Sequence, residues 1–524
     1  MSKVPTIAPP PTIAHLVADR ARDWPDRVAI SFEEQVQTFA ELDRSANAVC
    51  HLLAKLGVAR SEHVAVMLEN GAEAVQAWLG IARYGAIEVP LGSALRGDGL
   101  VYPLVKCSCR LAIVHASLLD RISHVRDRLP QLETVIVVGD AGTQGWKARL
   151  LEAGHEPYAS DVAAEDTAVV LFSSGTTGPP KGVVLPHSAG FWLAHGVREV
   201  MGYGHDDVLF NAFPLSHVNA RYTTIYPAML AGARAVLHRR FSASAFWDIC
   251  RTERITAFNY MGVIPVLLLN QTVTQGDRDH CVTRAYGAGA ADKISDQFEE
   301  RFGVPLVETY GSTELGMVSC TRLGERSPDS CGVASSDYQI EIQDELGWPL
   351  PSGGTGEIVV RPTRPGVMFS RYLGDPAATV EALKGLWFHT GDRGRRDSEG
   401  KLYFVDRVKD VIRRRGENIS SWEVERVLEA HPAISEASAI GVDSHVSGQE
   451  VMVVLVGAGE QVAPAELLEH CEKHLPYYAV PRYVRFVDSL PRTASARVEK
   501  YRLREAGVTP DTWDREEAGY VLKR

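Results

Sequence analysis

The chain is poor in cysteine, in positive charge and in long apolar runs, and each shortage removes a class of protein. Eight cysteines are scattered over 524 residues. Cys107 and Cys109 form a C-x-C, with no C-x-x-C and no second cluster at metal-ligand spacing. A disulfide scaffold and a structural zinc module are therefore excluded, and a reduced, cytoplasmic protein is expected. Lys plus Arg number 55 against 66 for Asp plus Glu, a net charge of −11. That balance does not suit general phosphate-backbone binding, so no nucleic-acid partner is expected. Apolar runs such as Val263–Leu269 fall well short of a bilayer span, and residues 1–12 are Pro-rich without the apolar block of a signal peptide. Neither a membrane span nor a leader is expected. No internal repeat or low-complexity tract is evident.

What remains is the composition of a soluble globular chain, 45% hydrophobic and 23% charged, and too long for one ordinary core. Between residues 165 and 315 short apolar strands alternate with helical stretches. Strands are expected at 167–172, 208–213, 233–237, 255–260 and 304–307. A helix is expected over 244–253 with Ser242 or Ser244 as its N-cap, and another over 292–302 ended by Gly303. This alternation predicts helix-covered parallel sheet. After about residue 350 glycines punctuate short strands, which predicts an antiparallel or barrel-like segment. A basic run at 409–415 precedes Gly416. A helix over 421–429 and strands near 437–440 and 451–456 then read as a separate, small α+β domain.

Three segments carry chemistry. Ser173-Ser-Gly-Thr-Thr-Gly-Pro-Pro-Lys-Gly182 follows an apolar strand. Its small residues let backbone N–H groups approach phosphate, and its hydroxyls and Lys181 add polar contacts. It is not a Walker loop, because Gly182 rather than Ser or Thr follows the lysine. Tyr310-Gly-Ser-Thr-Glu314 sets a hydroxyl beside a carboxylate, a pair suited to a phosphate oxygen and its Mg²⁺, although such a run also caps helices. His389-Thr-Gly-Asp392 puts an acid in a turn, where it either holds a ribose diol or makes an Asx-turn.

In this order and spacing the three segments resemble the adenylate-forming superfamily: acyl-CoA synthetases, peptide-synthetase adenylation domains and beetle luciferases. Gly287-Ala-Gly-Ala-Ala291, Ser370-Arg-Tyr-Leu-Gly-Asp-Pro376, Tyr403-Phe-Val-Asp-Arg-Val-Lys-Asp410 and Gly416-Glu-Asn-Ile419 extend the resemblance over essentially the whole chain. Pro214-Leu-Ser-His-Val-Asn219 and residues 241–260 look most like the carnitine/crotonobetaine-CoA ligase branch. The resemblance implies an α/β fold. A large N-terminal ATP- and acyl-binding domain (1–407) of helix-covered mixed and parallel sheets, plus a barrel-like segment, would carry a small mobile α+β domain (408–524) on a hinge near Lys409.

It also implies an AMP-forming ligase using ATP, Mg²⁺ and CoA. A carboxylate attacks the α-phosphorus of ATP and releases pyrophosphate; a thiol then displaces AMP. Carried over, Thr176, Thr177 and Lys181 would hold the β- and γ-phosphates, with Ser173, Ser174, Gly175 and Gly178 completing the loop. Thr313 would meet the α-phosphate beside Gly311 and Ser312, and Glu314, with Thr176, would hold Mg²⁺. Asp392 and Arg407 would take the ribose, and Gly287, Ala288, Gly289 and Tyr310 would surround adenine and the acyl group. Gly416 and Glu417 would line the thiol tunnel. His217 matches a position at the mouth of the acyl pocket, and Val218, Tyr260, Met261 and Met317 are expected around the substrate. Arg221, one turn beyond His217, either pairs with a second acidic group on the substrate or is a surface or interdomain residue. A homodimer is possible.

One position departs from the family. Its late catalytic lysine follows a glycine after a Pro-x-Thr signature; here Pro491-Arg-Thr-Ala-Ser-Ala-Arg497 ends in Arg497, with Ala496 for the glycine and Lys500 three residues on. Arg497 does the work with altered geometry, Lys500 substitutes for it, or the attacking oxyanion is not an ordinary carboxylate. The last reading admits nitrite, activated to diazotise an aryl amine. A catalytically inactive nucleotide-binding protein is the rival of another class. Arg497→Lys should preserve or raise AMP formation if Arg497 stands in for the lysine. A hundredfold loss, about 2.7 kcal/mol of transition-state stabilisation, would instead show a role specific to arginine.

Overall fold

Strands apolar on both faces organise the larger part of the chain. In Thr167–Ser173, Val169 and Leu171 enter one core beside Leu185 and Tyr222, while Val170 enters another beside Ile87, Leu100 and Val184. Alternate residues of a strand point to opposite faces, so this strand lies in the middle of the molecule. The computed structural model describes residues 9–139, 145–173, 180–261, 263–290, 292–325, 330–344, 346–407, 411–444, 448–459, 462–491, 498 and 500–523.

Two large mixed sheets form the first layers. One runs in the order Arg371–Tyr372, Lys181–Pro186, Thr167–Ser173, Ile87–Pro90, His63–Met67, Leu111–His115, Thr134–Val138, parallel from Thr167–Ser173 onward. The other has nine strands, and its parallel centre is Leu306–Ser312, Arg284–Ala288, Ala257–Met261, Val208–Asn211, Arg234–Leu237 and Val28–Phe32. Tyr338–Gln343, Thr355–Pro362, Phe388–Arg396 and Leu402–Arg407 make a third, antiparallel sheet from the Gly-punctuated segment. The fold is thus α/β, a large N-terminal part of sheets and helices with a small C-terminal α+β part. The small part sets Ile434–Asp443, Gln449–Gly457, Tyr483–Phe486 and Trp513–Asp514 against helices Ser421–Glu429 and Pro464–His474, with its own core of Val424, Val453, Leu467 and Cys471. It rests on the large part where Arg96 donates to the Glu472 carbonyl (3.0 Å) and Arg426 lies 3.9 Å from Asp98.

Local signals account for most boundaries. Helix Asp292–Phe302 ends as expected at Gly303, whose φ of +71° accommodates the left-handed turn. The other helix corrects the expectation: it begins at Phe246 after Ala245, without a side-chain cap, while the Ser242 and Ser244 hydroxyls face each other at 3.3 Å. Among the described residues no helix is long and apolar enough to cross a membrane.

A buried ion pair joins the two large sheets. Glu88, on the fully buried strand Ile87–Pro90, receives both Arg221 Nη atoms at 2.5 and 2.6 Å. Arg221 lies on the π-helical turn Asn219–Ile225 that follows the nine-stranded sheet's Val208–Asn211; its Nε donates to the Leu215 carbonyl and its guanidinium lies 5.0 Å from the Trp78 ring centroid. Burial works against the Arg221 charge, and the Glu88 carboxylate more than offsets that, so its pKa ends above the usual value. Of the readings made of Arg221 the surface one is corrected: the residue is buried and its charge is paired with Glu88. Glu88→Gln or Arg221→Met should each strand a buried charged or polar partner and cost about 3–5 kcal/mol. The Glu88→Leu/Arg221→Met pair should cost less than either single change. Urea unfolding followed by tryptophan fluorescence reads the order.

Candidate active site

The Gly-rich segment is a hairpin: Thr167–Ser173 returns as Lys181–Pro186, with Ser173 opposite Lys181. Ser174, Gly175, Thr176, Thr177 and Gly178 lie outside the described residues, as does the side chain of Ser173. Lys181 stands at the hairpin's far shoulder with its Nζ 4.4 Å from the ring centroid of Tyr372.

Tyr310 to Glu314 form the end of one strand and the turn into the next, not a helix cap. Leu306–Ser312 pairs antiparallel with Gly316–Cys320. Gly311 is required there, because a Cβ on it would lie 1.8 Å from the Gly316 carbonyl oxygen. The turn presents Thr313 and Glu314 to a narrow cleft of about 10 Å³. Phe369 N–H donates to the Glu314 carbonyl (2.7 Å), and the Tyr372 hydroxyl donates to its carboxylate (3.0 Å). The same cleft is walled by Leu193, Val218, Tyr222 and Val367. Tyr222 reaches it by lying on the bare backbone of Gly190, where a Cβ would come within 2.5 Å of the ring. Burial pushes the Tyr222 phenol up to about 12, so it stays neutral.

Asp392 and Arg407 are directly opposite each other across Phe388–Arg396 and Leu402–Arg407. The Tyr310 hydroxyl donates to Asp392 Oδ2 at 2.8 Å, tying the second motif to the third. Glu357 shapes that turn, accepting from Gly391 N–H (3.1 Å) and lying 2.9 Å from His389 Nδ1.

A residue that carried no motif signal holds the Gly287–Ala290 segment. Glu308 accepts from Gly289 N–H (2.9 Å), Ala290 N–H (3.0 Å) and the Tyr260 hydroxyl (2.5 Å). The sequence held one sign of it, an acid that directly follows the apolar Leu306–Val307. The Tyr260 ring is buried under Gly287, where a Cβ would meet the Tyr260 carbonyl oxygen at 2.2 Å. Met317 is also buried, its Cε toward Gly196, and neither side chain lines the cleft described above. Ala288 ends the strand Arg284–Ala288 beside this segment.

Two further residues meet across the domains. Gly416, at φ +88° between Val411–Arg414 and Glu417–Ser420, backs onto Met261, with 3.4 Å between a Cβ built on it and the Met261 Cβ. Lys500 Nζ is held within the small domain by Glu425 (2.7 Å) and Ser421 (2.8 Å). His217 is exposed on the loop before Asn219, its N–H on the Pro214 carbonyl (3.1 Å), and Val218 faces the cleft. Lys409 and Arg497 lie outside the described residues, and of Arg407 only the backbone is described.

A lysine-bearing hairpin joined through Tyr372 to a carboxylate turn, with a Tyr–Asp pair on the strand that leads into that turn, has the makings of a nucleotide-activating enzyme of the adenylate-forming class. The chain belongs to the AMP-binding enzyme family: residues 17–373 match the family model of that description, and 423–497 match that of the AMP-binding enzyme C-terminal domain. It is 30% identical to the crotonobetaine/carnitine–CoA ligase of Salmonella typhimurium over 507 residues, 93% of this chain and 97% of that one. The o-succinylbenzoate CoA synthetase MenE of Bacillus subtilis, bound with a CoA product analogue, superposes with a TM-score of 0.84 at 25% identity, over 95% of this chain and 99% of that one. ATP-bound MatB of Rhodopseudomonas palustris gives 0.69 at 26% identity, over 94% and 98%. The chain is an AMP-forming acyl-CoA ligase using ATP, Mg²⁺ and CoA; these matches favour neither the nitrite nor the inactive reading.

The site suits Mg²⁺ brought by a nucleotide. Among the described residues no three His, Cys, Asp or Glu side chains converge to cage a metal, and Mg²⁺ on ATP needs only one or two protein ligands beside the phosphates. Glu308→Ala would leave the Gly289 and Ala290 N–H groups without their acceptor and the Tyr260 hydroxyl with the Val307 carbonyl. It should raise the KM for ATP about tenfold, the loss expected for charge-assisted hydrogen bonds, with a smaller change in kcat. Pyrophosphate release against ATP concentration measures it; a fall in melting temperature with unchanged KM would overturn the assignment.

Proposed function

We propose that this ligase activates a short, uncharged organic acid. The supporting observation is the cleft beside Thr313 and Glu314. Among the described residues its walls are mostly apolar, with Tyr222 the one aromatic and Glu314 the one charged residue. A quaternary ammonium acid such as carnitine calls for an aromatic cage or a counter-charge. Glu314, the carboxylate there, is assigned to the metal and accepts from Tyr372, and Tyr222 alone makes no cage. Selection here rests on fit to Tyr222, Leu193, Val218 and Val367.

The roles follow from placement. Lys181, with Thr176 and Thr177, holds the β- and γ-phosphates; Thr313 donates to the α-phosphate; Glu314 holds the metal. Mg²⁺ bound there supplies charge neutralisation on the phosphate oxygens, the main requirement of nucleotidyl transfer. Asp392 and Arg407 take the ribose hydroxyls, and the Gly287–Gly289 edge, set by Glu308, flanks adenine. The acid's carboxylate oxygen bonds to the α-phosphorus as pyrophosphate leaves, and the thiol sulfur then bonds to the acyl carbon as AMP leaves. His217 stands at the cleft mouth.

The chain divides into 1–407 and 408–524 about a hinge near Lys409. Gly416 against Met261, with Lys500 tied to Glu425, suits the orientation of the thiol step. The higher TM-score to the CoA-analogue complex than to the ATP complex, at similar identity and coverage, supports the same orientation. Because Lys500 is already engaged, Arg497 is the better substitute for the missing lysine. All eight cysteines are free, which suits the cytoplasm.

AMP and thioester formation should be measured over a panel of acids with Mg²⁺-ATP and CoA. Short uncharged acids should exceed carnitine and crotonobetaine by at least about a hundredfold in kcat/KM, because Glu314 is held for the metal and a single tyrosine makes no cage for a cation. Comparable turnover of carnitine, or AMP released with nitrite and no carboxylate, would overturn the reading.

A further inference from the structure

Tyr372 touches both of the charged groups to which the proposed chemistry assigns ATP handling. Its ring lies under Lys181 Nζ at 4.4 Å, and its hydroxyl donates to Glu314 Oε1 at 3.0 Å. The two partners come from segments more than a hundred residues apart, and no direct hydrogen bond or ion pair between them is seen among the described residues. Among those residues Glu314 Oε2 has no second partner, so one carboxylate oxygen is tied and the other is available to a metal.

The tyrosine itself is fixed on every side. The two-residue strand Arg371–Tyr372 pairs with Lys181–Pro186, placing Tyr372 opposite Val183. Its N–H donates to Thr379 Oγ1 at 3.0 Å, its ring lies 4.9 Å from that of Phe369, and it is buried. Lysine has three flexible donors and a long stem, and a glutamate in a hairpin turn has several rotamers open to it. A rigid ring that attracts the first and a phenol donor that orients the second limit both before nucleotide arrives.

We propose that Tyr372 is a positioning residue that presets Lys181 and Glu314 for Mg²⁺-ATP, its ring acting on the lysine and its hydroxyl on the metal-binding carboxylate. The proposal rests on the roles given above to Lys181 and Glu314. It makes the two halves of one side chain separable. Tyr372→Phe keeps the ring and removes the hydroxyl; Tyr372→Leu removes both.

Calorimetric titration of ATP, without acid substrate, at a series of Mg²⁺ concentrations tests this beside Glu314→Gln. Tyr372→Phe should bind ATP like the wild type without Mg²⁺ but need about tenfold more Mg²⁺ for the same enhancement, the loss of one charge-assisted hydrogen bond. Tyr372→Leu should in addition weaken Mg²⁺-free ATP binding severalfold. Glu314→Gln should shift the Mg²⁺ requirement at least as far as Tyr372→Phe. A Tyr372→Phe titration matching wild type beside a shifted Glu314→Gln would overturn the proposal alone. An unshifted Glu314→Gln would overturn the metal role of Glu314 and the proposal with it. Melting temperatures of the variants separate either result from misfolding, and if Tyr372→Leu does not fold, Tyr372→Phe decides.

Discussion

The Glu88–Arg221 pair is the constraint on which the site depends. Two sheets of different strand order meet with apolar faces, and apolar contact alone does not fix how far one slides on the other. A bidentate ion pair with almost no exposure does, because any slip leaves two desolvated charges apart. Asn70 adds to it from the same side, donating to the Phe213 and His238 carbonyls and accepting from Leu215 N–H. Between them these residues hold residues 213–221, and with that loop the places of Val218 and Tyr222 at the cleft.

Around that frame the site is made of turns. The hairpin shoulder at Lys181, the turn at Thr313–Glu314, the Gly391 turn before Asp392 and the end of Arg284–Ala288 each leave backbone or side-chain groups unused by the sheets. Loops held by rigid strands present such groups at little cost in order. What keeps the turns in mutual register is a set of single tyrosines: Tyr310 on Asp392, Tyr372 between Lys181 and Glu314, Tyr260 on Glu308. A buried phenol is both a rigid spacer and a donor that does not ionise.

Much of this was legible beforehand and some was not. Thr167–Ser173, Asp292–Phe302 and Ser421–Glu429 follow from apolar runs, periodicity and terminal glycine, which act over a few residues. The start at Phe246 was misplaced because two serines offered a cap that the chain uses elsewhere. Tyr310, Tyr372 and Tyr260 look alike in sequence, each in or beside a glycine-containing motif; only packing shows that one binds Asp392, one binds Glu314 and one is buried under Gly287. Glu308 is a single acid directly after the apolar Leu306–Val307, and nothing local distinguishes an acid that organises a neighbouring loop from one at a strand edge.

By itself, the sequence determined the class of enzyme, the order of its motifs and most of its elements, because phosphate-binding loops, metal-binding acids and strand periodicity are local chemistry. It also exposed the arginine where a lysine is usual. The tertiary structure alone decided that Arg221 pairs with Glu88 inside the frame, that Tyr222 lines the cleft beside Glu314, and that Lys500 pairs with Glu425. Each of those outcomes turns on which residue from a distant segment arrives within a few ångströms. Burial and pairing are properties of that meeting, and no pattern along the chain encodes the partner.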